Sequence, residues 1–465
     1  MCGIAGSFAA AGQAESDAVA VEQSAVLAHR GPDHFGSWRE PGVALLHWRL
    51  AVIDLSPAGN QPMLSADGRF VLCYNGEVYN FQELRAEIER EWRTIAPPPG
   101  RRARADGRTG ARRWRGRSDT EVILEGWSLW GPGVLGRLNG MFALALYDRH
   151  TDWLYLSRDR TGIKPLYVWK RNDVLLFASE AKFFFHTRPF EPDIAADGLG
   201  AFVTYGHCYG EHHVLRGVRQ LDPGEVMAIQ RAPDGASLAV SRGRVSPRPR
   251  WNPTPRGDRR ASDELRRVLS SAVARQLVAD VPVGVLLSGG VDSSILTALA
   301  AQRLGPDRTM AFTLGYPGAG ADYDEIDHAR RVANHLGVQH HVYEASSDDL
   351  VDALEQLVWQ YDEPFADAAA LNVFLLSRMI RSRVTVALAG EGSDELFGGY
   401  RRYHLERVIR GLGGFGAGLA AVVRAGRLDR AARLLEWPIV VLALLTFVLF
   451  VIVVFVVLVV VVVLV

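Results

Sequence analysis

Three stretches of this 465-residue chain place residue types at spacings that could do chemistry. The first is "MCGIAG", residues 1 to 6, with a cysteine directly behind the initiator methionine. Removal of Met1 would leave Cys2 with its own α-amino group, ordinary pKa near ~8, able to accept the thiol proton. Nucleophile and base would then be one residue. The second is "VPVGVLLSGGVDSSILTALAA", 281 to 301. A buried strand ends at Leu287, Ser288, Gly289 and Gly290 form a turn that lets the backbone approach a ligand, and Asp292, Ser293 and Ser294 open a helix. Amide groups of a helix start behind two glycines make an anion cradle. The loop lacks the lysine that would neutralise β- and γ-phosphates and supplies Asp292, a carboxylate able to hold Mg²⁺. That suits gripping pyrophosphate while the α-phosphate is attacked. A Gly-rich strand-to-helix turn without a ligand is the plainer alternative. In the third stretch, "LAGEGSDELFGGYRRY" (388 to 403), Gly390 and Gly392 flank Glu391 at a strand end, so Glu391 and Asp394 can face the nucleotide loop. A helix-start loop with acidic capping is the alternative there.

The elements that must position these residues fall into two patterns. Short apolar or alternating runs at 42 to 54, 69 to 75, 141 to 147, 153 to 158 and 174 to 179 read as strands, with helices at 80 to 92 and 119 to 130. Ser118 caps the second helix ahead of Glu121. From Ser262 the order changes to helix (262 to 278), strand (281 to 287), helix (292 to 303), strand (309 to 315), helix (324 to 336), helices within 348 to 382 and a strand at 383 to 389. This βαβ alternation predicts a parallel sheet with helices on both faces and ligands at the carboxyl ends of its strands. The boundaries expected are 2–210, a connecting segment 211–260 that is Pro- and Arg-rich at 244–260, a second domain 261–437, and an apolar tail 438–465.

The length favours two domains. With 48% apolar residues, 22% charged residues and a formal net charge of zero, nothing points to a nucleic-acid partner or an anionic surface. Three cysteines, Cys2, Cys73 and Cys208, make no disulfide framework and suit a reducing, cytoplasmic setting. Cys73 and Cys208 read as packed side chains. The Arg-rich stretch 101 to 117 carries one aromatic, Trp114, and reads as a solvated insertion rather than a nucleic-acid patch. The run from Ile439 to Val465 is uncharged and long enough to cross a bilayer. Two readings stand: a tail anchor giving membrane association, or a chain altered or truncated near Trp437.

"MCGIAG", "HRGPD" (29 to 33), "HWRLAVIDLS" (47 to 56), "YNGEVYN" (74 to 80), "SDTEVIL" (118 to 124) and "RDRTGIKPLY" (158 to 167) together resemble a class II glutamine amidotransferase domain. "SGGVDSS", "YDEPFADAAALNVFLLSR" (361 to 378) and "LAGEGSDELFGGYRRY" resemble the ATP-pyrophosphatase half of glutamine-hydrolysing asparagine synthetases. The resemblance implies an α/β two-domain fold: an N-terminal Ntn-hydrolase αββα sandwich and a C-terminal doubly wound parallel α/β domain. It implies Cys2 as nucleophile, Asn75 and Gly76 as oxyanion donors, and a glutamine site of Arg49, Leu50, Ala51, Val52, Ile53, Asn75, Gly76, Glu77 and Asp119. Arg49 would clamp the substrate carboxylate, and Glu77 with Asp119 its ammonium. A surface ion pair for Arg49 and a helix-start acid for Asp119 are the plainer alternatives.

For the second half the resemblance implies an ATP site of Leu286, Leu287, Ser288, Gly289, Gly290, Asp292, Ser293, Leu314, Ala389 and Gly390. Asp292 and Asp394 would hold Mg²⁺, and Glu391 would deprotonate the attacking amine. Ala389 stands where the family commonly has serine. The implied partners are glutamine, aspartate and ATP, with a homodimer as the assembly common among similar proteins. Such synthetases usually continue with an "RVPF"-type segment and basic residues where this chain has its apolar run. The resemblance implies glutamine-dependent asparagine synthesis, in which ammonia released at Cys2 displaces AMP from adenylated aspartate to give asparagine, AMP and pyrophosphate. For the purified chain, whose end departs from the family, the expectation is glutamine hydrolysis with weak or absent asparagine formation. A membrane-anchored amidotransferase acting on a cell-envelope or peptide carboxylate, and a non-catalytic remnant, are the other two classes.

Overall fold

The computed structural model describes residues 1–10, 21–94, 113–171, 173–233, 235–245, 258–316, 325–400 and Tyr403. Met1–Gly390 form one compact unit and Glu391–Val465 a second, each described by itself.

The front of the first unit is a sandwich of two six-stranded antiparallel sheets. Its strands are β1 (Gly3–Ala9), β2 (His34–Glu40), β3 (Val43–Arg49), β4 (Met63–Leu64), β5 (Phe70–Val78), β6 (Gly140–Asp148), β7 (Trp153–Arg158), β8 (Tyr167–Lys170), β9 (Val174–Ala178), β10 (Val218–Gln220), β11 (Glu225–Arg231) and β12 (Leu238–Arg244). One sheet runs β10-β8-β9-β1-β3-β2 and the other β12-β11-β7-β6-β5-β4. Ile4, Phe8, Val43 and Leu45 from the first meet Val71, Cys73, Ala143 and Leu156 from the second in the core between them. Alternation along each strand sends the other side chains outward. On the second sheet's outer face, Leu72, Leu144 and Leu146 pack under Leu84 and Ile88 of α1 (Phe81–Thr94) and Val122, Ile123 and Trp127 of α2 (Asp119–Trp130). The first sheet's outer face is covered by the 3-10 turns Val21–Arg30 and Ala181–His186.

After α3 (Ala196–Tyr205) and β10 to β12, helix α4 (Asp258–Gln276) leads into a four-stranded parallel sheet. Its strands are β13 (Val283–Leu286), β14 (Met310–Gly315), β15 (Gln339–Glu344) and β16 (Val386–Leu388), in the order β15-β14-β13-β16. Helices α5 (Val291–Leu304), α6 (Ile326–Leu336), α7 (Ser347–Tyr361) and α8 (Ala369–Ile380) provide the crossovers. Val273 and Ala300 bury Val285 from α4 and α5, while Ile380 buries Phe312 from α8. The second unit begins with α9 (Ser393–Phe397).

Ser118 caps α2 as expected, accepting the Glu121 N–H at 3.3 Å. The strand expected over 42 to 54 stops at Arg49, and residues 50 to 56 form an irregular loop. β1, β2 and β15 carry no strand expectation in the sequence, and 348 to 382 holds two helices separated by an extended break. Residues 101 to 112 of the Arg-rich stretch, 246 to 257 of the linker and the run 439 to 465 lie outside the described residues. Among the described residues no helix is long and apolar enough to cross a membrane.

Candidate active sites

Cys2 stands just ahead of β1, which pairs with β3 so that Gly3 lies opposite Trp48. That register brings the thiol to Leu50: the Leu50 N–H donates to Sγ at 3.3 Å, and the thiol faces the Leu50 carbonyl at 3.6 Å. Arg30 Nε donates to the Cys2 carbonyl at 2.9 Å. Burial pushes the thiol above its ordinary value, with the Leu50 amide and the terminal amine pulling the other way. Burial likewise pulls the Met1 amine down to about 5. That amine is neutral at pH 7.

Asn75, Gly76 and Glu77 follow one another on β5. Gly76 is glycine for lack of room, since a Cβ there would lie 2.1 Å from the Met141 carbonyl oxygen on β6. Asn75 is buried and its Nδ2 has no hydrogen-bond partner among the described residues. Such donors are scarce in folded proteins and mark a place where a ligand atom is expected. The strand is pinned from the other sheet by buried His47, whose Nε2 is 3.1 Å from the Tyr74 carbonyl oxygen. Burial pulls the His47 imidazole down to about 3, so it is the neutral ring that donates there.

Asp119 opens α2 and turns inward, where its Oδ2 accepts Tyr74 Oη–H at 2.8 Å and the Val78 N–H at 3.0 Å. Burial raises its carboxyl despite these bonds. Glu77 is raised to about 7, first by burial and then by the charge of Asp119. Lys164, buried and lowered to about 8 by desolvation, completes the group; its Nζ is 3.1 Å from Met1 Sδ. The Lys164 and Asp119 charges act on the Cys2 thiol in opposite senses, and the same two groups act on Glu77.

Arg49 is buried at the end of β3. Nη1 donates to the Ser56 carbonyl at 2.9 Å and to Asn60 Oδ1 at 2.7 Å, and Nη2 donates to the Asp54 carbonyl. Of the five guanidinium hydrogens, Nε–H and one on Nη2 have no acceptor among the described residues. Its internal bonds make Arg49 an organiser of loop 50 to 56, which its sequence did not reveal. Ala51, in the same loop, donates its N–H to Asp33 Oδ2 at 2.8 Å. Arg30, Asp33 and Lys164 all lie inside sequence motifs without an assigned role, and their spacing alone gave no sign of these partners.

At the carboxyl end of β13, Ser288 Oγ and Ser293 Oγ are 2.9 Å apart, and the Gly290 N–H donates to Ser288 Oγ at 3.2 Å. Gly289 has φ +82°, and a Cβ on it would lie 2.6 Å from the Ala329 nitrogen, so only glycine fits. Thr313 on β14 donates to the Leu287 carbonyl at 2.6 Å. Leu286 pairs with Phe312 two residues before Leu314, and Val285 pairs with Leu388 just before Ala389. A Cβ on Gly390 would stand 3.4 Å from the Asp292 Cβ. Leu286, Leu314, Ala389 and Gly390 thus lie at the carboxyl end of the sheet, as does the Ser288–Ser293 turn. Ser294 Oγ is buried without a partner, and the exposed Asp292 carboxylate makes no hydrogen bond or ion pair among the described residues. One carboxylate with phosphate oxygens is how Mg²⁺ is usually held, and no group of three metal-ligating side chains converges among the described residues. Glu391 and Asp394 belong to the second unit; the Asp394 carbonyl caps α9, accepting the Gly398 N–H at 2.9 Å.

Trp114 packs against Trp92 with centroids 4.7 Å apart and donates to Glu89 at 2.8 Å, while Arg115 is paired with Glu121. The described end of the Arg-rich stretch therefore closes onto the sandwich. Cys73 is fully buried and Cys208 half-buried, both free thiols.

A two-sheet sandwich of the amidotransferase type, with the thiol ahead of its first strand, is joined in this chain to a parallel α/β sheet with the glycine turn at its carboxyl end. The glutamine amidotransferase domain family matches residues 1–96 and 102–237, and the asparagine synthase family matches residues 264–439. A relative in Mycobacterium tuberculosis (strain ATCC 25618 / H37Rv) is 36% identical over 424 residues, covering 87% of this chain and 61% of its own. Asparagine synthetase 1 (glutamine-hydrolyzing) of Bacillus subtilis (strain 168) is 31% identical, with 94% and 65% covered. Asparagine synthetase B (glutamine-hydrolyzing) of Escherichia coli (strain K12) is 32% identical, with 87% and 65% covered. The chain belongs to the family of glutamine-hydrolysing asparagine synthetases. It spans 61% to 65% of the length of these three relatives.

Proposed function

We propose that the chain makes asparagine, using ammonia that Cys2 releases from glutamine. The observation that carries this reading is the buried, unpartnered Asn75 Nδ2 on the strand that also bears Gly76 and Glu77. With Met1 removed, the Cys2 amine takes the thiol proton and sulfur attacks the glutamine amide carbon. Asn75 Nδ2 and the Gly76 N–H receive the oxyanion; its collapse expels ammonia, and water hydrolyses the thioester to glutamate. Arg49 holds the substrate carboxylate, Glu77 and Asp119 its ammonium, and Leu50 to Ile53 form the wall. In the α/β domain the β-carboxylate of aspartate attacks the α-phosphorus of ATP and releases pyrophosphate. Ammonia, its proton taken by Glu391, then displaces AMP. The turn from Leu287 to Ser293 holds the phosphates, with Leu286, Leu314, Ala389 and Gly390 against the adenosine. Asp292 and Asp394 would hold Mg²⁺, which when bound neutralises pyrophosphate charge. A cytoplasmic setting and a homodimer complete the reading, supported by the sparse cysteines and the family resemblance.

The test is the purified chain given glutamine, aspartate and ATP. Glutamate release that Cys2→Ala abolishes, together with aspartate-dependent AMP and pyrophosphate, supports the proposal. Glutamate release without aspartate-dependent pyrophosphate would overturn its second half, and no glutamate release its first.

A further inference from the structure

Loop 50 to 56 has no regular secondary structure, so its backbone polar groups depend on partners elsewhere. Leu50 uses Cys2, Ala51 uses Asp33, and the Asp54 and Ser56 carbonyls use Arg49. A further pair comes from the α/β half. Asp280, three residues ahead of β13, donates its N–H to the Val52 carbonyl at 2.9 Å and accepts the Asp54 N–H on Oδ2 at 2.8 Å. Arg117, whose N–H donates to Asp54 Oδ2 at 2.6 Å, brings its guanidinium 3.9 Å from the same Asp280 oxygen.

Asp54 is the hinge of this arrangement. Its φ is +58°, in the left-handed region that a residue other than glycine occupies at a cost and keeps only where its surroundings over-determine it. Its N–H is held by Asp280 and its carbonyl by Arg49, so one peptide conformation links the α/β half to the glutamine-carboxylate clamp. We propose that Asp280 is a positioning residue for the glutamine site, fixing the left-handed turn at Asp54 on which Arg49 and the loop from Leu50 to Ile53 are registered. The inference rests on the glutamine-binding role proposed above and deepens it: the site on the sandwich is completed by a residue of the nucleotide-binding half.

The experiment is steady-state glutamine hydrolysis by the full chain. Asp280→Ala removes the oxygen that accepts the Asp54 N–H, a charge-assisted bond, and is expected to raise KM for glutamine about tenfold with kcat within about twofold. Asp280→Asn keeps an acceptor oxygen and is expected to restore KM to within about threefold of the parent. An unchanged KM in Asp280→Ala would overturn the inference, as would a kcat that falls in step in both variants. If Asp280→Ala does not fold, Asp280→Glu carries the test, because the added methylene displaces the same oxygen and raises KM likewise. Glutamine protection of Cys2 from iodoacetamide separates the two levels. A parent chain that neither hydrolyses glutamine nor is protected by it overturns the proposed function, whereas an active parent with an indifferent Asp280→Ala overturns this inference alone.

Discussion

Arg30 joins Cys2 to Glu180: its Nε donates to the Cys2 carbonyl at 2.9 Å and its Nη1 to Glu180 Oε1 at 2.6 Å. The peptide carrying the thiol is therefore held by a buried guanidinium that is itself held by a buried carboxylate. A lysine cannot make both bonds in one plane. Arg30→Lys is expected to lower kcat for glutamine hydrolysis by about 10- to 100-fold, the scale of a misplaced reacting group. Glutaminase assays beside the rate of Cys2 alkylation check this: an unchanged kcat would show that the carbonyl needs no anchor.

Glu180 also meets Lys182 Nζ at 2.6 Å and His29 Nε2 at 3.0 Å, and both of those side chains touch Trp359 of α7. Burial alone would raise the Glu180 carboxyl, but the His29 bond and the Arg30 and Lys182 charges hold it down at about 2. A depressed carboxyl contributes stability that is complete above its unfolded value of 4.5 and lost as pH falls through about 2. Urea unfolding of the parent and Glu180→Gln should differ by about 3 kcal/mol at pH 7, because the variant leaves buried cations uncompensated. The gap should narrow between pH 4.5 and about 2. A gap independent of pH would mean that the carboxylate charge is not what stabilises this cluster.

Glu77 works in the opposite sense. Its carboxyl, raised to about 7, favours the protonated form in the fold, so it costs stability as pH rises from 4.5 through about 7. An ammonium beside it would reverse that preference and drive the proton off. Glutamine binding near pH 6.5 should therefore release on the order of half a proton or more, measurable by calorimetry in buffers of different ionisation enthalpy. KM for glutamine should rise as pH falls from 8 to 6, and Glu77→Gln should flatten that rise. Proton uptake on binding, or a Glu77→Gln profile that keeps the parent slope, would remove Glu77 from the ammonium site.

Where local chemistry determines structure, this chain is readable. The Ser118 cap sets the start of α2, and strand, glycines and helix start put the nucleotide turn where β13 meets α5. Where partners lie far away it is not. The apolar alternation of "GVALLHWRLAVID" continues past Arg49, yet Leu50 to Asp54 leave the strand because Cys2, Asp33 and Asp280 capture their backbone groups. β15, "QHHVYE", carries polar side chains at a sheet edge and has no apolar pattern to read; its register is set by pairing with β14. Among the candidate site residues, Cys2, Asn75, Glu77 and Asp119 are singled out by their motifs. Arg30, Lys164, Glu180 and Asp280 act through contacts between residues distant in the chain, which spacing does not encode.

Asn75 offers the sharpest separation of activity from stability. A buried donor without a partner costs the fold on the order of 1 to 3 kcal/mol, and an oxyanion would recover that cost at the moment it forms. Removing the group should therefore hurt catalysis and spare folding. Asn75→Ala is expected to lower kcat for glutamine hydrolysis by about 10²- to 10³-fold with a much smaller change in KM, since the interaction belongs to the tetrahedral state. Its unfolding free energy should stay within about 1 kcal/mol of the parent, the lost packing being offset by relief of the orphaned amide. The two measurements together decide the role. A variant that loses stability and keeps kcat has lost a structural amide, while one that keeps stability and loses kcat has lost an oxyanion donor.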